Sequence, residues 1–227
     1  KLVRMKKIFT AVSLLLLNTA VWAQLTKTEE VEKDLKSKLE HKEDGWKKGG
    51  LLNIGLTQGL LENWAAGGER QSLALNGQFN GFVVRKHGSS VWENTLDLYY
   101  GLNYVESNAF KPRKLDDRID FSCRYGLQPK NWTTSKNKLK KSTYLSGLFR
   151  FQSQFSKGFD YAKPNWETNP ISAFMSPGYF TFALGMDVRT NDNFTFFFAP
   201  LPANFPFAKP SNAANAAAFG VEKGETY

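Results

Sequence analysis

Trp92-Glu93-Asn94-Thr95-Leu96-Asp97-Leu98-Tyr99-Tyr100-Gly101-Leu102-Asn103-Tyr104 alternates apolar and polar residues over thirteen positions. Leu96, Leu98, Tyr100 and Leu102 fall on one face of an extended chain, with Glu93, Thr95, Asp97 and Asn103 on the other. Side chains alternate across a strand, whereas a helix groups residues three and four apart, so this strict period of two predicts a β-strand. Twelve steps separate Trp92 from Tyr104. At ~3.3 Å per residue and a ~40° tilt they cover roughly 30 Å, enough to cross a ~25 Å apolar band and leave an aromatic ring at each margin.

The same alternation runs outward in both directions. Leu52, Ile54 and Leu56 oppose Asn53, Gly55 and Thr57, and Leu73, Leu75, Phe79 and Val83 oppose Ser72, Asn76, Gln78 and Asn80. Further on, Ile119, Phe121, Cys123, Tyr125 and Leu127 oppose Asp120, Ser122, Arg124 and Gln128. Leu145, Phe149, Phe151 and Phe155 then oppose Ser146, Arg150, Gln152 and Gln154. Phe180, Phe182, Leu184, Met186 and Val188 face away from Thr181, Gly185, Asp187 and Arg189, and a seventh segment surrounds Phe194, Phe196 and Phe198. A soluble sandwich also alternates but seldom uses strands of ten or more residues. The expected class is therefore all-β, an antiparallel up-and-down transmembrane β-barrel with about seven strands present.

Connections fit that class. Residues 85–91 and 190–193 are tight and rich in turn residues, whereas 103–117 and 157–177 are long, as in barrels whose short turns face the periplasm and long loops face outward. Residues 129–142 form a longer turn than usual on the short-turn side. Bacterial barrels close with an even number of strands, so a count of seven predicts a barrel domain truncated at its C-terminus, with 200–210 as an outer loop.

The N-terminus reads as an export signal over 1–23. Met5, the expected true start, leads a positive region with Lys6 and Lys7; Ile8 to Leu17 forms the apolar core, and Val21-Trp22-Ala23 the cleavage site before Gln24. No cysteine follows that site to carry a lipid anchor. Residues 24–48 are expected to be a charged periplasmic lead-in and 49–227 the barrel domain. The implied location is the outer membrane of a diderm bacterium, with outer-membrane lipid and the barrel-assembly machinery as partners.

Composition narrows the chemistry. The chain has 227 residues with 15% aromatics, and its charge of +9 falls to +5 once 1–23 are removed. That surplus is mild and scattered, apart from Lys136, Lys138, Lys140 and Lys141, so a nucleic-acid surface is not expected. The lone Cys123 can neither pair within the chain nor build a zinc site, and no cofactor is expected. Asp116 and Asp117 alone fall far short of a calcium ligand set.

Several motifs stand in order along the chain. They are Gly59-Leu60-Leu61-Glu62-Asn63-Trp64-Ala65-Ala66-Gly67-Gly68-Glu69, Trp92 to Asp97 with Tyr100-Gly101-Leu102, and Arg113-Lys114-Leu115-Asp116-Asp117-Arg118. Tyr125-Gly126, Gln152-Ser153-Gln154-Phe155, Ser176-Pro177-Gly178-Tyr179 and Ala217-Ala218-Phe219-Gly220-Val221 come after them. In these the chain resembles domain of unknown function 3078, an uncharacterised family of bacteria with an outer membrane. The resemblance runs from about Gly45 to the end and is most specific at Asn63, Trp64, Ala65, Ala66, Gly67 and Gly68. It implies an outer-membrane β-barrel that extends past residue 227, and it implies no activity.

The candidate lumen-facing residues are Asp97, Asp120, Arg124, Arg150, Asp187 and Arg189. They could line a channel or pair with one another across strands and fill it; in a small barrel pairing is favoured. The function expected is a structural envelope component or a narrow channel for small molecules. The alternatives are a soluble secreted β-barrel ligand carrier and an outer-membrane hydrolase or acyltransferase. No enzyme is expected, because His41 falls in the lead-in and His87 in a short turn, far from an outward-facing site.

Overall fold

The structure, a computed structural model, describes residues 44–60, 70–133, 136, 143–191, 194–200 and 202–208. The expected signal peptide and most of the lead-in lie outside them. Alternating sequence becomes extended backbone along most of the chain: β1 (Gly45–Leu60), β2 (Gln71–His87), β3 (Ser90–Val105), β4 (Arg113–Leu127) and β5 (Thr143–Ser153) come first. Two short strands, β6 (Gly158–Phe159) and β7 (Pro170–Ser172), pair in the connection to β8 (Gly178–Asn191). Last come β9 (Phe194–Phe198) and β10 (Ala203–Phe207).

The main sheet is wholly antiparallel, in the order β1-β2-β3-β4-β5-β8-β10, with β9 also on β8. β9 pairs with the stretch from Met186 to Asn191 and β10 with the stretch from Gly178 to Phe182. The two lie end to end along one edge of β8, like a single strand interrupted around Pro200 and Pro202. At the interruption Gly185 admits the Phe198 carbonyl so closely that a Cβ there would collide with it. Chain order and spatial order thus agree throughout, which makes the sheet an up-and-down meander. Among the described residues its outer edges, β1 and β9 with β10, do not pair with each other.

Three expectations need correction. Residues 203–207 are not part of a loop: they form β10 on β8, and among the described residues no ladder lies beyond Pro206. The connection expected over 103–117 shrinks to 106–112, since β3 runs on to Val105 and β4 starts at Arg113, with a register shift between Gly101 and Leu102. β1 begins at Gly45, inside the segment read as lead-in, because Gly45 to Lys48 pair with Val83 to Lys86.

Connections differ by end. β2 turns into β3 through Gly88, whose φ of 55° suits glycine, with Asp44 accepting the Gly88 N–H at 3.0 Å. At the opposite end the β5–β8 connection is long and folded back. Lys114 Nζ bonds Asp117, Gln154 Oε1 and the Ser156 carbonyl at 2.9–3.0 Å, while Asp117 also accepts the N–H groups of Phe155 and Ser156. Asp117 is therefore committed to a loop clamp.

Candidate functional site

Register puts most of the large apolar residues of the main strands on one face, while Phe82, Val84 and Leu148 lie on the other, opposite Thr95, Glu93 and Arg124. Leu98 lies opposite Phe79 and Ile119, Leu96 opposite Phe121, and Phe121 opposite Phe151, which faces Phe180. Phenylalanines gather there: Phe149 with Phe182 and Phe151 with Phe180 are each 5.1 Å apart between ring centroids. Trp46 and Trp92 meet edge to face at 6.3 Å near the short-turn end, and Tyr100 meets Phe155 at 6.2 Å towards the other. This face is bare: Leu184 is 78% exposed, and Leu52, Ile54 and Leu56 are each more than 65% exposed.

The opposite face carries the charged clusters, and part of it is buried. Asp187 is 0% exposed and Glu93 6%. Arg124 binds both, through Nε at 2.6 Å to Glu93 Oε2 and Nη1 at 3.2 Å to Asp187 Oδ2. Arg189 also binds both, with Nη1 2.8 Å from Glu93 Oε1 and Nη2 2.7 Å from Asp187 Oδ2. The four side chains form a closed ring of alternating charge, and Tyr144 lies under the Arg189 guanidinium at 5.3 Å.

That ring measures the curvature of the sheet. Following the register from Glu93 through Arg124 and Leu148 leads to Ala183 on β8, six residues short of Arg189. In a flat sheet the Glu93 and Arg189 backbones would be roughly 24 Å apart. Their contact requires the sheet to coil around its polar face, which is concave, leaving the apolar face convex.

A second cluster lies further along the concave face. Arg150 donates from Nε to Asp120 Oδ1 at 2.8 Å and from Nη2 to Asp120 Oδ2, and Gln152 Nε2 adds a bond of 3.0 Å. Asn80 donates to Asp97 Oδ1 at 2.6 Å, and Gln78 bonds Asn80 and the Tyr99 hydroxyl at 2.7 and 2.9 Å. Thr95 and Ser122 share a hydrogen bond of 2.7 Å between the clusters. Buried charges persist only when paired and hydrogen-bonded, and nearly every charge here is.

All six residues singled out from sequence lie on this face. Asp187, Arg189 and Arg124 meet in the ring, Asp120 and Arg150 in the second cluster, and Asp97 beside it. Glu93, the hub joining Arg124 to Arg189, was not singled out, nor were Asn80 and Tyr144. Glu93 had a usable signal, since it opposes the apolar side of β3 as Asp97 does. Residues Asn63, Trp64, Ala65, Ala66, Gly67 and Gly68 lie outside the described residues, and so does His41. His87 ends β2 at the hairpin turn, where Ser90 Oγ donates to its carbonyl.

Fold and site together define an all-β protein built on a coiled antiparallel meander, polar and ion-paired inside the curve and apolar outside it. Residues 56–159, somewhat under half of the chain, match the model of the family described as "Protein of unknown function (DUF3078)". The resemblance read from the motifs holds over that segment, which runs from within β1 to β6. No curated protein and no solved structure matches the chain.

Proposed function

We propose that this chain is an outer-membrane β-barrel protein, exported through a cleavable signal over residues 1–23 and serving as a structural component of the envelope. The observation that carries the reading is the inverted polarity of the sheet, with bare Leu52, Ile54, Leu56 and Leu184 on the convex face and buried Glu93 and Asp187 on the concave one. A soluble protein hides its apolar face, and a monomer rarely exposes a large contiguous apolar patch, whereas a lipid-embedded barrel needs one. Long strands, aromatics toward both ends of the convex face and the tight β2–β3 hairpin at one end support the same reading. Barrel closure is part of the proposal, because backbone groups on an open edge cannot be satisfied within a bilayer.

The concave face favours a filled lumen over a wide pore, since its arginines and carboxylates bind each other. A narrow route for small molecules is the second reading, favoured by Asp97, whose carboxylate takes one side-chain hydrogen bond, from Asn80, and no ion pair among the described residues. A soluble carrier would need a mostly apolar interior, whereas the concave face is dominated by ion-paired clusters and has few large apolar residues, among them Phe82, Val84 and Leu148. The experiment is a comparison of boiled and unboiled gels on the full-length protein extracted from the outer-membrane fraction. A mobility shift on boiling supports a closed membrane barrel; a soluble protein with no shift overturns it.

A further inference from the structure

The convex face is not uniformly packed. Gly50, Gly81, Leu96 and Phe121 lie side by side on β1 to β4, and the two glycines leave a recess between larger neighbours. The Phe79 ring leans over them: a Cβ at Gly81 would lie 2.9 Å from it, and one at Gly50 3.6 Å away. Phe79, Val83, Leu96 and Phe121 wall a notch of about 520 Å³ with this glycine floor, and Lys48 and Asn94 stand at its short-turn end. A notch of this size is in the range of small-molecule sites.

Charge marks the mouth. Lys48 is exposed and forms no ion pair among the described residues. Arg85 is its diagonal neighbour on the convex face, with its guanidinium 5.3 Å from the centre of the Trp46 ring. Two cations next to an apolar notch, beside the Trp46–Trp92 pair, match an amphiphile with an anionic head and a hydrocarbon tail. We infer that the notch is a phospholipid site, taking one acyl chain along the recess at Gly50 and Gly81, against the Phe79 ring, with the phosphate held by Lys48 and Arg85. The inference rests on the membrane reading. The short-turn end of such a barrel faces the periplasm, so the notch opens on the phospholipid inner leaflet.

Native mass spectrometry of the full-length protein, extracted in mild detergent and offered phosphatidylglycerol, tests this. One phosphatidylglycerol should stay bound per chain, and chain-free glycerol phosphate should not displace it. Lys48→Gln should weaken retention about fivefold, from the worth of one lysine at an anionic surface. Gly50→Leu fills the floor and should weaken it by about tenfold or more, the equivalent of two buried methylenes. If Gly50→Leu fails to fold, judged by loss of the boiling shift, Lys48→Gln decides alone. A folded, heat-modifiable wild type that retains no phosphatidylglycerol, or variants that retain as much as wild type, overturn the notch and leave the membrane reading standing. A wild type that neither shifts on boiling nor enters bilayers overturns both.

Discussion

Arg189 Nη1 lies 2.8 Å from Glu93 Oε1, so β8 touches β3 across two intervening strands. The pair closes the charge ring over the concave face, and Glu93 is the residue that both arginines share with Asp187. Removing one member of a buried ionic cluster leaves the others uncompensated, at a cost of about 3–5 kcal/mol. Glu93→Ala should therefore lower unfolding stability by roughly that amount in urea titrations of the protein in vesicles. A loss below about 1 kcal/mol, the range of exposed pairs, would mean that the ring does not hold the sheet in its coil.

The convex face should respond to charge according to depth. Leu98→Arg and Phe151→Arg place a guanidinium in the middle of the apolar band, and each should destabilise folding in bilayers by roughly 2–4 kcal/mol. Phe79→Arg should do the same. Mild effects on folding, accompanied by loss of a bound apolar molecule, would instead favour a soluble carrier.

A lumen filled by paired side chains should conduct poorly. Wild-type protein in planar bilayers is expected to show little or no ion current. Arg150→Ala frees Asp120, which Arg150 holds through Nε at 2.8 Å, and should open a small cation-preferring current visible as a shifted reversal potential. A large wild-type conductance, unchanged by Arg150→Ala or Arg124→Ala, would contradict the filled lumen.

The clamp around Asp117 ties down the long β5–β8 connection. Asp117 Oδ1 accepts the Phe155 N–H at 2.6 Å, and Oδ2 accepts the Ser156 N–H at 2.9 Å and a bond from Lys114. Asp117→Asn replaces an acceptor by a donor and should cost about 1–3 kcal/mol locally. Limited proteolysis should then cut within 154–177 faster than in wild type, with the boiling shift retained. Equal cutting rates would show that the clamp does not order the connection.

The strands were legible because period two is a local property: each of β1 to β5, β8 and β9 carries its own alternation, and a one-residue slip would have put Asp120 among phenylalanines. The inward charges came out of the same pattern. β10 was hidden because the prolines at 200, 202, 206 and 210 read as a loop, and proline fits a strand only where its position needs no ladder hydrogen bond. Glu93 was hidden as a hub for a different reason. Its partners Arg189 and Asp187 lie far along the chain and off register, and only the coiling of the sheet brings them together. The Lys114–Asp117 clamp likewise depends on a long connection folding back, which spacing along the chain does not encode.

Whether the apolar face of the meander meets lipid while the polar face does not can be read along β3. Single nitroxide labels placed from Asn94 to Tyr99 in a Cys123→Ser background report, by collision with oxygen dissolved in the bilayer, which side chains contact hydrocarbon. An alternation is expected, with maxima at Asn94, Leu96 and Leu98 and minima at Thr95, Asp97 and Tyr99. Maxima at the odd positions, or no lipid contact at any of the six, would contradict it.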